Sequence, residues 1–88
     1  VTAEELARQD EHDVRFVLHT REGARFLARL VDFAGVFRTS FVQADALTTA
    51  FKEGQRNAGL MVWGAALMAD QTAPATLTRA AGEREVTQ

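Results

Sequence analysis

Apolar residues recur along this chain at the three-to-four-residue spacing of helices, in three blocks. In the first, Ala3, Leu6, Ala7, Val14, Val17 and Leu18 keep a helical period, but Asp10, Glu11, His12 and Asp13 break its middle and leave the stripe thin. Thr2 followed by Glu5 has capping-box spacing, in which a hydroxyl and a carboxylate satisfy N–H groups that lack intrahelical acceptors. The helix should therefore begin near Ala3. In the second block Thr20 can cap, Arg21 and Glu22 occupy the first turn, and Gly35 offers a left-handed stop. Gly23, Phe26, Leu27, Leu30, Val31 and Ala34 lie at offsets 0, 3, 4, 7, 8 and 11, the pattern of a helix with one buried face.

The third block is the longest. Asp45 is a natural N-cap, and the spacing predicts a helix from Ala46 to about Ala69. Leu47, Phe51, Gly54, Ala58, Met61, Ala65 and Met68 are separated by 4, 3, 4, 3, 4 and 3, a seam with coiled-coil spacing along the whole helix. From Ala58 to Ala69 the helix becomes apolar on nearly every side, more circumference than two short helices can cover. Leu60, Trp63 and Leu67 fall off the seam and form a second stripe, a candidate oligomer face that Gly64 adjoins, since large exposed apolar patches mark interaction sites. Between the second and third helices, residues 36–42 are too apolar for a loop left in water and are expected to pack as an irregular connector.

From Gln71 the composition shifts to Thr, Ala and charge, with the single proline, Pro74, closing the helix. The expected fold is therefore all-α: a small three-helix domain over residues 1–70, two shorter helices and one long one. A polar C-terminal tail over 71–88 follows, with at most a marginal turn or two of helix and docked on a partner.

Eighty-eight residues with 47 % apolar and 25 % charged content suit one small folded domain. Zero cysteines exclude a disulfide framework and the common zinc ribbons. A formal charge of −2 supplies no global attraction for nucleic acid or an anionic membrane. No apolar run reaches the ~18 residues of a spanning helix, and synthesis in the cytoplasm is expected.

The search for chemistry returns little. His12 and His19 are two helical turns apart rather than the one that a metal-binding pair uses. Ser40, the sole serine, has no glycine elbow and no neighbouring histidine. Glu4, Glu5, Asp10 and Asp13 occupy an exposed-looking helix where nothing would raise a carboxyl pKa. Gly54, Gly59 and Gly64 recur every five residues inside a helix, unlike a phosphate loop, and suggest close contact with a neighbouring helix. No catalytic residue, metal or cofactor is expected. Arg21, Arg25 and Arg29 make a basic ridge on the second helix, either a solvated row partly paired with Glu22 and Asp32 or a set of candidate phosphate contacts.

The segment Gly35-Val36-Phe37-Arg38-Thr39-Ser40-Phe41 is followed by the run from Ala50 to Leu60, which contains Phe51-Lys52-Glu53-Gly54-Gln55-Arg56. Together, and with Phe26-Leu27 on the preceding helix, they resemble a family of very small tailed-bacteriophage proteins over roughly Val14 to Leu67. The resemblance implies a gene among head and portal genes and a virion or assembly role, with no catalytic residue to carry over. Within the motif, Glu53 is expected to pair with Arg38 or Arg56 and to clamp the connector against the long helix.

The leading expectation is a non-enzymatic structural protein of the virion, packed through its third helix against other virion proteins and copies of itself near the portal, tail or inner capsid. Two alternatives stand beside it. One is an internal protein ejected into the host, whose segment from Ala58 to Ala69 enters the membrane. The other is a module that contacts packaged DNA through Arg21, Arg25 and Arg29.

Overall fold

Side chains at the helix ends set where each element starts and stops. The computed structural model describes residues 1–38 and 43–85, and among them it contains four helices and no strand: α1 (Ala3–Leu18), α2 (Arg21–Ala34), α3 (Ala46–Ala69) and α4 (Ala73–Gly82). Thr39, Ser40, Phe41 and Val42 of the connector, and residues 86–88 of the tail, lie outside the described residues. At the start of α1 the Thr2 hydroxyl accepts from Glu5 N–H at 3.1 Å, and the Glu5 carboxylate accepts from Thr2 N–H at 3.5 Å. One hydroxyl serves both sides of the next corner: Thr20 donates to the Val17 carbonyl at 2.9 Å and accepts from Gly23 N–H at 3.0 Å. Gly35 ends α2 at φ 73°, left-handed backbone that costs a residue without Cβ nothing. Asp45 caps α3 by accepting from the Thr48 N–H at 2.9 Å and the Thr48 hydroxyl at 2.6 Å. Those two bonds hold the Asp45 carboxyl below its ordinary pKa.

The expectation of three helices is corrected by α4. Residues 73–82 form a true helix, with Pro74 in its first turn, where the missing N–H costs nothing. Ala73, Leu77 and Ala80 are its buried residues, and it packs chiefly on α2. Much of the segment expected as a partner-docked tail is thus docked on its own chain.

The buried face of α2 also differs from expectation. Ala24, Ala28, Val31 and Ala34 point inward, while Phe26 is exposed, so the buried stripe is the row of small residues. The reason is visible where α2 crosses α3. A Cβ placed on Gly59 would stand 2.4 Å from the Ala34 Cβ and 2.7 Å from the Val36 Cγ2, so the helices meet at a spacing that admits methyl groups and little more. Two buried clusters result. Leu18, Ala24, Ala28, Ala66, Ala69, Ala73, Leu77 and Ala80 form one, and Val31, Ala34 and Val36 the other. Trp63 packs against both.

Polar groups tie the end of α1 to the corner between α3 and α4. Arg15 Nε donates to the Ala69 carbonyl at 3.0 Å, satisfying an end-of-helix acceptor, while its Nη2 meets Glu11 at 2.9 Å. The Asp70 carboxylate accepts from Thr72 N–H at 2.8 Å and the Thr72 hydroxyl at 2.7 Å, and His19 Nε2 lies 3.0 Å away. The Thr72 bonds, helped by His19, pull the Asp70 carboxyl from 3.8 down to about 2.

Two outcomes follow for stability. Gly59→Ala should destabilise the chain by ~1–3 kcal/mol by overpacking, read from the urea midpoint. Because Asp70 has a depressed folded-state pKa, its contribution is complete above 3.8 and is lost as pH falls toward about 2. Thermal melting of Asp70→Asn should therefore lose less between pH 4 and pH 2 than the parent chain does.

Candidate assembly surface

The distribution of side-chain size is inverted relative to an ordinary soluble domain. Among the described residues, seven of the eleven buried apolar residues are alanines, and no polar or charged residue is buried. Phe16, Phe26, Phe33, Phe37 and Phe51, by contrast, are 52–73 % exposed. Phenylalanine ordinarily belongs among the buried residues, and its full burial stabilises by roughly 1.5–3 kcal/mol. Local contacts shelter some of these rings only in part. Phe37 meets Trp63 edge-on at 5.1 Å, and the Arg29 guanidinium lies 5.2 Å from the Phe26 ring centre.

On α3 the faces sort as the α2 crossing requires. Gly59, Ala66 and Ala69 are buried, Val62 and Trp63 are half-buried beside them, and the heptad seam points away from the protein. Leu47, Phe51, Met61 and Met68 are strongly exposed, and Gly54, Ala58 and Ala65 between them are exposed too. The stripe singled out from the sequence is divided: Trp63 turns inward, while Leu60 and Leu67 sit at the rim with 36 % and 38 % exposure. Gly64 is half-buried, and neither it nor Gly54 touches a neighbour closely enough for a Cβ to matter. Of the three α3 glycines expected at a helix contact, Gly59 alone makes one.

The charged candidates are dispersed. Arg21 lies 3.4 Å from Glu83, and Arg25 reaches both Glu83 at 3.9 Å and Glu22 at 3.8 Å. The C-terminal end of α4 thus meets two members of the ridge, a pairing the sequence could not signal because Glu83 is more than fifty residues away. Glu53 pairs with Arg56 at 3.5 Å, and Arg56 Nε donates to the Val36 carbonyl at 3.2 Å. Arg38 instead turns back to donate to the Asp32 carbonyl. Among the described residues, Arg56 thus ties the connector to α3 through a backbone oxygen. Phe33, Arg38, Lys52, Gln55 and Arg56 line an adjoining open cleft of about 280 Å³. His12 lies 3.5 Å from Asp13 on the exposed part of α1, and among the described residues no three His, Asp or Glu side chains gather as a metal site would need.

The model of the Bbp19-like phage protein family matches residues 14–81, from the last turns of α1 through nearly all of α4. No curated protein and no solved structure matches the chain. The match takes in both core clusters, the α2–α3 crossing at Gly59 and the outward seam of α3. With more than half its length matched, the chain belongs to the Bbp19-like phage protein family.

Proposed function

We propose that this chain is a non-enzymatic structural subunit of a phage particle, packing through α3 against other virion proteins in the portal, tail or inner-capsid region. The observation that carries the reading is the inverted core: methyl groups inside, phenylalanine and methionine outside. The overall dimensions agree with it. The chain measures 46 × 41 × 17 Å with a radius of gyration of 15.1 Å, where a compact chain of this length would have ~12 Å. Its accessible surface is 6656 Å², against about 5,100 Å² for a folded monomer of its mass. Part of that excess belongs to the projecting first turns of α1, all of whose residues through Asp13 are exposed. The exposed phenylalanines and methionines add apolar surface of the kind that partner proteins cover.

Two physical arguments favour this reading over the alternatives. Moving the segment from Ala58 to Ala69 into a membrane would withdraw Gly59, Ala66 and Ala69 from the core and dismantle both clusters, and no described helix is long and apolar enough to cross a membrane. A phosphate drawn to Arg21 and Arg25 would compete with Glu83, which lies 3.4 and 3.9 Å from them.

The test is the composition of purified particles. After a high-salt wash the chain is expected to remain at a fixed copy number by quantitative mass spectrometry, and Leu60→Glu with Leu67→Glu should lower that number several-fold. Recovery of the parent chain only from the soluble fraction of infected cells, never from particles, would overturn the assignment.

A further inference from the structure

We propose that the exposed seam of α3 pairs with the same seam of a second copy of this chain, giving a closed dimer joined by a two-helix coiled coil. The inference rests on the reading of the chain as an assembling subunit and names its first partner. Leu47, Phe51, Met61 and Met68 are 73–85 % exposed, and Ala58 and Ala65 continue the same alternating spacing of 4 and 3 between them. A seam with that spacing stays in register only with another helix that repeats every 3.5 residues, because slight under-winding then keeps both seams facing each other. The α3 helix carries the required match in itself.

Three further features fit an identical partner. The positions flanking the seam are uncharged, with Thr48, Gln55 and Val62 on one side and Ala50, Asn57 and Gly64 on the other, so two copies approach without like-charge repulsion. Gly54 and Gly64 have nothing within 4 Å of where a Cβ would stand. That open space lets a second backbone come close, and it accounts for two glycines in mid-helix whose helix-weakening cost nothing inside the protomer offsets. The area is also adequate. At ~200 Å² per large side chain, the four most exposed residues present on the order of 600 Å² before the alanines are added, close to the ~800 Å² per partner of a stable interface.

Sedimentation equilibrium and native mass spectrometry of the full chain should give a dimer at micromolar concentration. Met61→Glu and Met68→Lys alter residues that contact little within the protomer, so circular dichroism should show unchanged helicity. Each should weaken the dimer ~100-fold or more by burying an unpaired charge. Phe16→Glu, a comparably exposed phenylalanine on α1, should leave it intact. A parent chain that stays monomeric to roughly 0.5 mM, weaker than any useful subunit contact, would overturn the pairing, as would seam variants that dimerise like the parent. A ladder of larger oligomers would also overturn it, because an open series requires the seam to meet a different surface. Presence in particles is read separately, so the pairing and the virion role fail on different results.

Discussion

The crossing of α2 over α3 at Gly59 governs the rest of the molecule. With Ala34 and Val36 lying where a Cβ would otherwise stand, the two helix backbones are so close that the interior between them holds methyl groups and two or three larger aliphatics. Everything bulky must then leave. The phenylalanines of α2 rotate to its outer face, the heptad seam of α3 turns away from the crossing, and among the described residues Trp63 is the one large ring packed against both clusters. The interior and the surface are therefore two consequences of one contact distance.

Around that crossing, polar ties substitute for the packing that a larger core would supply. Arg15 covers an end-of-helix carbonyl of α3, Asp70 folds the α3–α4 corner, Arg56 holds the connector, and Glu83 brings the end of α4 to Arg21 and Arg25. Most of these are exposed or half-exposed and contribute little energy each; they set geometry. They concentrate at helix ends, where unsatisfied backbone groups and short turns make one well-placed side chain decisive.

The same physics explains which parts of the fold were legible in the sequence. Caps are local, so Thr2, Thr20, Gly35 and Asp45 marked their helix ends from residue type and spacing alone, and α3 runs over the residues its pattern indicated. Which face is buried is not local. Ranking residues by hydrophobicity put Phe26 inside α2 and passed over the row of Ala24 and Ala28, because a scale cannot know that the neighbouring helix approaches at Gly59. Helix α4 was read as no more than a marginal turn or two for a related reason: Ala73, Leu77 and Ala80 are at proper helical spacing, but two alanines and a leucine among threonines look polar unless a close-packed neighbour makes small residues sufficient. At the candidate surface, the clamp residues Glu53 and Arg56 are one turn apart and do meet, whereas the Glu83 contacts bridge more than fifty residues and leave no trace in local pattern.

A core of methyl groups has an energetic consequence that connects fold to assembly. Burying a methyl stabilises by about 0.8 kcal/mol, while each phenylalanine left outside withholds roughly two to three times that. The isolated protomer thus holds in reserve, on its surface, apolar free energy comparable to what its interior supplies. Any partner that covers the outer face of α3 adds to folding stability as well as to association, since binding the native state alone shifts the unfolding equilibrium by mass action. The Gly59 crossing blocks a larger interior at that point, so under the proposed pairing a second copy covering the seam would recover part of that energy.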